Sequence, residues 1–454
     1  LGLHLRSEGS PTLTIDFAKY VTSTNFDQLS PSVIHAAKRG LLDWVGCALA
    51  ASKHKTLDLL IATLKEEGAS EQATVIGRNL KLSHIQAALV NGQMGHLLDF
   101  DDTHMGGVVL HASSPTLAAL LSEAQRNQHS GAHLLLAYVC GFEAAVRVGQ
   151  SSPSHHAGGW HLTGTLGHFA SSVAVGRLIE LNAEQMVFAM GIGATQASGM
   201  QQNRGTMCKS FHAGRAASNG ILAARLAKNG FNSSDEIVEG KRGFSKIYSV
   251  DSNPNRMIEG LGISWEIERN GYKPYACGVV LHPAIDVMIQ AHRCGRIALD
   301  SQRIKRIDVR VNPLVISITG TVSPTSGLHS KFSIYHSVCV ALMDGKAGIE
   351  QYSDARANDP KVMSLKEKVS ITGDESMARD QARVLIEHDG GVEEFFVEHA
   401  SGTVDNPMSD QALIDKFLGN AAFCLTPAKA KEVVELIWRF EEIEDASVLM
   451  PLLA

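Results

Sequence analysis

The chain has 454 residues, 44% of them hydrophobic and 19% charged, with a formal net charge of −6. That composition excludes a disordered chain and is too long for one small core, so two domains are expected. The mild charge, the lack of a polybasic run and an aromatic content of only 6% argue against nucleic-acid and membrane-surface partners.

Cys47, Cys140, Cys208, Cys277, Cys294, Cys339 and Cys424 stand singly, with no CxxC pair, which reads as reduced thiols in a cytoplasmic protein. No uninterrupted apolar run reaches the roughly 18–20 residues that span a bilayer. The N-terminus lacks the charged, then apolar, then small pattern of a signal peptide, and residues 1–10 carry no pattern that bears on the fold. The compositional oddity is 20 histidines, a few of which could converge on a pH-active site.

From Thr14 to about residue 266 the apolar periodicity is helical. Ser30-Pro31 makes an N-cap and N1 pair ahead of Val33, Ala37, Leu41 and Val45. Further helices are expected over residues 83–96, 114–126, 130–148, 165–179, 182–197 and 214–228. They are rich in Ala, Gly and Ser, and glycines such as Gly214 and Gly220 would let backbones approach closely. The pattern changes near Tyr272. Residues 306–311 alternate strictly, as a half-buried strand does, and residues 369–371, 382–387 and 392–399 read as further strands. The last two are joined by the hairpin turn His388-Asp389-Gly390-Gly391, and residues 333–342 read as a helix. After Ser409 the helical pattern returns. The expected fold is α+β. A large all-α helical domain is formed by residues 11–267 and 403–454, with a smaller α+β domain, residues 268–402, inserted between them.

The densest set of titratable groups is Asp99, Asp101, Asp102, His104 and His111, with Thr103 among them, on the loop that follows the helix begun at Ser83. Three carboxylates there meet the negative end of the helix dipole. They must be solvated, neutralised by cations or held for chemistry, and a solvated acidic turn is the plain alternative. Trp160-His161 and Cys208–His212 each precede a helix whose first amides could meet an anion. Lys273–Cys277, His282-Pro283 and Ser323–Ser326 ahead of Lys331-Phe332 add further polar groups in apolar text. Taken alone, each histidine is as well explained by a core imidazole on a backbone carbonyl, and Lys209 by a snorkelling surface lysine. Gly191-Ile192-Gly193 lacks a third glycine and follows a helix, Gly205–Lys209 has the wrong spacing for a P-loop, and no HExxH occurs.

The combination is more specific than its parts. Leu98-Asp99-Phe100-Asp101-Asp102-Thr103-His104 with His111, Gly159-Trp160-His161 with Gly164-Thr165, the run from Lys209 to Ala217 with Asn219-Gly220, and Lys273–Cys277 with His282-Pro283 together resemble the MmgE/PrpD family, from about residue 14 to the end. That family includes 2-methylcitrate dehydratase, cis-aconitate decarboxylase and iminodisuccinate epimerase. The resemblance implies a helical domain built from both chain ends, an α+β domain between them, a homodimer, and a site between the domains that uses no cofactor and no metal. It also implies a catalytic set of Asp99, Thr103, His111, His161, Lys209 and His282, with His104, His212 and Lys273 binding the substrate.

The substrates so implied are small anionic polycarboxylates that lose a proton or CO₂ beside a carboxylate. Such chemistry needs preorganised cations for the developing charge and a base tuned near neutrality. The first expectation is an epimerase of an iminodisuccinate-like substrate, with Lys209 and an opposed histidine as its two bases. In support, His104 stands on a short loop where methylcitrate dehydratases carry a Trp directly after the Thr. The alternatives are a hydro-lyase resembling 2-methylcitrate dehydratase and a cis-aconitate decarboxylase. A non-catalytic helical protein is the remote alternative, since Lys209 and the whole histidine set are present.

Overall fold

A computed structural model describes residues 12–297 and 301–454. Residues 1–11, which include the pattern-free segment and the first residue of the expected helical domain, lie outside the described residues.

The protein is a mostly helical α+β structure. Several of its helices start at a side-chain cap. Ser30 accepts from the Val33 N–H at 3.3 Å and opens Pro31–Ala51 with proline at its first position. Ser83 does the same for His84–Leu97 and Ser130 for Gly131–Gln150, each satisfying an amide that the helix itself leaves free. At the centre of the helical part, His84–Leu97, Ser113–Glu123, Leu162–Leu178 and Met207–Lys228 pack against one another. Small residues make this possible: a Cβ on Gly214 would sit 2.2 Å from the Leu89 carbonyl oxygen, and one on Gly220 would sit 2.0 Å from Ser171 Oγ. Backbones that close leave His84–Leu97, Ser113–Glu123 and Leu162–Leu178 buried nearly all round rather than amphipathic, while Met207–Lys228 keeps a narrow exposed stripe at Cys208, Arg215 and Leu222.

Met207–Lys228 begins seven residues earlier than its periodicity suggests. Thr206 caps it, accepting from the Cys208 N–H at 3.2 Å, and Gly214 lies inside the helix as a point of close approach. Lys209 and His212 therefore stand on its first turns, not in a loop ahead of it. Gly131–Gln150 also departs from expectation, because it has the length and apolarity of a membrane span. Its most apolar window is 89% buried inside the protein, and Glu143 and Arg147 pair within it at 2.6 Å.

The α+β part is built on a four-stranded sheet in the order Val369–Gly373, Ile304–Val311, Ala382–His388, Gly391–Val397. The first pair is parallel and the others antiparallel, with His388 opposite Gly391 across the hairpin. Ile304, Ile307, Val309, Val384 and Ile386 are buried, and helix His282–Arg293 packs on the hairpin strands with Ile334–Asp344 behind it. Asp410–Ala421 and Pro427–Trp438 then return to pack on Pro31–Ala51.

Two short ribbons escape the sequence reading. One pairs Ala73–Val75 with Leu80–Leu82. The other pairs Thr103 with Gly271 and His104 with Asn270, and so ties the acidic loop to the segment that enters the α+β part. Strands of two or three residues are too short to show an alternating pattern.

Candidate active site

The acidic loop is an interior strap, not a solvated turn. Asp99, Asp101, Asp102, Thr103 and His104 are all buried. Asp99 follows the helix His84–Leu97 with φ of 50°, a left-handed position that a short polar side chain tolerates. Each carboxylate has its own compensation. Lys273 donates to Asp99 Oδ1 at 2.7 Å, and Lys209 stands 3.2 Å from the same oxygen. Asp101 holds the His96 ring through Nδ1, at 3.0 and 2.9 Å. Asp102 accepts from Ser113 and Asn270.

These environments push the three acids apart. Burial works to raise Asp99, but Lys209 and Lys273 outweigh it and hold the carboxyl well below its usual range. Burial raises Asp101 against the pull of His111 and Lys273. Asp102, buried beside Asp43, rises to about 7. Of the two ammonium groups on Asp99, Lys209 is lowered by burial despite Asp99, whereas Asp99 keeps Lys273 raised against burial. Lys273 is the fixed counter-ion and Lys209 the adjustable one.

The histidines gather beside this pair. The His96 ring lies 4.8 Å from that of His111 and 5.4 Å from that of His161, nearly parallel to the latter. His111 Nδ1 meets the Asp102 carbonyl at 2.7 Å and Thr103 Oγ1 at 3.1 Å. His161 caps Leu162–Leu178 by position but not by its side chain, whose Nδ1 faces His212 Nδ1 at 2.9 Å. Burial lowers all of them: His96 and His161 far below the usual imidazole value, His111 to about 3 and His212 to about 4. His282, at the start of its helix, is brought to about 3 by burial and then by Lys273. They are neutral bases, not cations. The Nε2 atoms of His96, His161 and His282 and Oδ2 of Asp99 are buried without a hydrogen-bond partner.

His104 stands apart from this set. Its Nδ1 meets the Val108 carbonyl and its Nε2 meets Glu266, both at 2.9 Å, so neither ring nitrogen is left for a ligand. Lys273, expected to bind substrate, is fully buried and engaged with Asp99. Two residues outside the expected catalytic and binding set join the cluster. His96 was legible only as the last position of the expected helix over residues 83–96. Lys331 had no local signal beyond the polar run before it. A narrow cleft lies between His96, Asp99 and Lys209 on the helical side and Leu328, Lys331 and Phe332 on the α+β side. Burial lowers Lys331 to about 8. The cleft has room for about one water, so a polycarboxylate enters only if its walls part.

One nitrogen each of His96, His111 and His161 lies within 4.8 Å of the others, a spacing open to a transition metal. Two ammonium groups beside the same cluster oppose a dication and favour an anion.

Comparison with known proteins gives the family. Residues 15–257 match the MmgE/PrpD N-terminal domain and residues 275–441 the MmgE/PrpD C-terminal domain. The cis-aconitate decarboxylase of Aspergillus terreus is 26% identical over 98% of this chain and 97% of its own length. The human cis-aconitate decarboxylase is 25% identical over 97% and 94%, and the 2-methylcitrate dehydratase of Escherichia coli is 23% identical over 93% and 92%. With both of the family's domains matched in order across nearly all of its length, the chain belongs to the MmgE/PrpD family.

Proposed function

We propose that the chain is a cofactor-independent lyase of small polycarboxylates, with cis-aconitate as the first substrate to test and a 2-methylcitrate-like hydroxy acid as the second. The observation that carries this reading is the set of buried, unpartnered polar atoms beside two buried ammonium groups. Buried polar groups are almost always bonded, so a cluster of orphans marks the place of a polar ligand. Neutral imidazoles flanked by lysines suit a polyanion that gains or loses a proton at carbon. The names of the relatives move the weight from the epimerase expectation to the two lyase alternatives.

The reactions separate by product. Decarboxylation breaks a carbon–carbon bond, releases CO₂ and places one solvent proton on the carbon skeleton. Dehydration removes a proton beside a carboxylate and expels hydroxide as water. The test is to incubate the protein with cis-aconitate, 2-methylcitrate and an iminodisuccinate-like amino acid in D₂O and follow the products by NMR. CO₂ release with one deuterium incorporated supports the decarboxylase, and a new alkene without CO₂ supports the hydro-lyase. Deuterium at an α-carbon without net loss of substrate would restore the epimerase, and inertness towards all three overturns the proposal.

A further inference from the structure

We propose that His96, held by Asp101, is a catalytic residue that exchanges the proton with the substrate carbon; this rests on the lyase reading above. His96 lies in the last turn of His84–Leu97 and is only 1% exposed. Both oxygens of Asp101 face its Nδ1, at 3.0 and 2.9 Å, while its Nε2 is buried without a partner. The residue lines the narrow cleft together with Asp99, Lys209 and Lys331.

A carboxylate on Nδ1 fixes the tautomer that carries its proton there and leaves the Nε2 lone pair free. Among the three adjoining imidazoles the backing differs. His111 is held by a carbonyl and a hydroxyl, and His161 faces another imidazole. Only His96 has a carboxylate to stabilise the imidazolium that forms when Nε2 takes up a proton. Burial keeps the ring neutral in the empty protein, and a polyanionic substrate in the cleft favours its protonated form.

In decarboxylation, the bond between the carboxylate and its carbon breaks and CO₂ leaves. The electron pair passes into the conjugated system, and the carbon that receives it takes the proton from Nε2 of the His96 imidazolium. One proton from water restores the ring. In dehydration, Nε2 of neutral His96 takes the carbon-bound proton as hydroxide departs, protonated to water by a neighbouring ammonium. In either direction Asp101 orients the ring and balances its charge.

The test compares the full-length wild type, His96→Gln and the isosteric Asp101→Asn with cis-aconitate and 2-methylcitrate. It is paired with long-range ¹H–¹⁵N NMR of protein labelled at histidine. An amide opposite Nδ1 favours the wrong tautomer, so Asp101→Asn is expected to lose at least about 10²-fold in kcat with KM changed less than about threefold. The spectrum should show His96 protonated at Nδ1 in the wild type and at Nε2 in Asp101→Asn, a change that lost packing does not produce. His96→Gln should lose at least as much kcat; if it fails to fold, Asp101→Asn carries the test. An active wild type whose folded variants keep kcat within about threefold overturns the role of His96 and leaves the lyase reading standing. Wild type inert with every polycarboxylate overturns the lyase reading and this role with it.

Discussion

The Lys273 ammonium grips Asp99 twice, donating to the carboxylate Oδ1 at 2.7 Å and to the backbone carbonyl at 3.0 Å. One side chain therefore neutralises the buried charge and clamps the left-handed residue that turns the chain out of its helix. Lys273 comes from the segment entering the α+β part, so the same contact fastens the two parts of the molecule together at the candidate site.

Removing that grip should cost stability before it costs binding. Lys273→Met leaves Asp99 buried with only Lys209 beside it, and breaking a buried pair on one side costs about 3–5 kcal/mol. Denaturant unfolding should show that loss, with a large part recovered in the double variant Asp99→Asn/Lys273→Met. A Lys273→Met protein as stable as wild type, with only KM raised, would return Lys273 to the substrate-binding role expected from the sequence.

Lys209 and His161 should matter for turnover and little for folding. Lys209→Ala and His161→Ala are each expected to lower kcat by at least about 10²-fold on the true substrate. Circular dichroism should stay close to wild type, and Lys209→Ala should lower the melting temperature less than Lys273→Met does, because Lys273 still neutralises Asp99. Near-normal turnover in either variant would remove that residue from the mechanism.

Lys331 should trade stability for affinity. Its native value of about 8 lies below the ordinary 10.5. Between those values the unfolded chain holds a proton that the native protein has released, so this group makes stability rise with pH across the window. Below pH 8 both states are protonated and the burial penalty is complete. Lys331→Met should thus be more stable than wild type at pH 7, the advantage shrinking towards pH 10.5, while KM for a polycarboxylate rises. A variant less stable at pH 7 with unchanged KM would contradict both halves.

The buried histidines set the acid limit. His111 and His282 lie at about 3, and His84, His155, His168, His212 and His336 at about 4, all below the ordinary 6.5. As pH falls below about 6.5 the unfolded chain takes up protons that these native rings refuse, so stability drops. Asp102 and Glu143, both raised to about 7, work the other way, since their native forms bind protons first as pH falls from 7 to 4. They are outnumbered. Unfolding free energy measured from pH 7 down to pH 4.5 should decline, and a flat or rising profile would show that the rings are accessible to protons in the native state.

Activity should survive EDTA and dialysis, because the ammonium groups beside the imidazole cluster disfavour a dication. Loss of activity that Zn²⁺ or Mg²⁺ restores would turn His96, His111 and His161 into a metal centre.

The helix starts at Ser30, Ser83 and Ser130 were legible in the sequence because capping is local, each serine bonding an amide three residues on. The strand over Ile304–Val311 was legible because a half-buried strand alternates residue by residue. The chain positions of Asp99, Lys209 and His161 were legible through the motifs that surround them. What only the tertiary structure decided is which polar groups meet. Thr206 and Gly214 place Lys209 on a helix rather than a loop, and the two-residue ribbon at Thr103 and His104 brings Lys273 onto Asp99. His96 becomes a site residue because Asp101 turns its ring, and His104 leaves the site because Glu266, distant in the chain, takes its free nitrogen. Periodicity and capping act over a few residues and leave a trace in the text. Side-chain convergence depends on how closely distant backbones pack, and no local pattern records that distance.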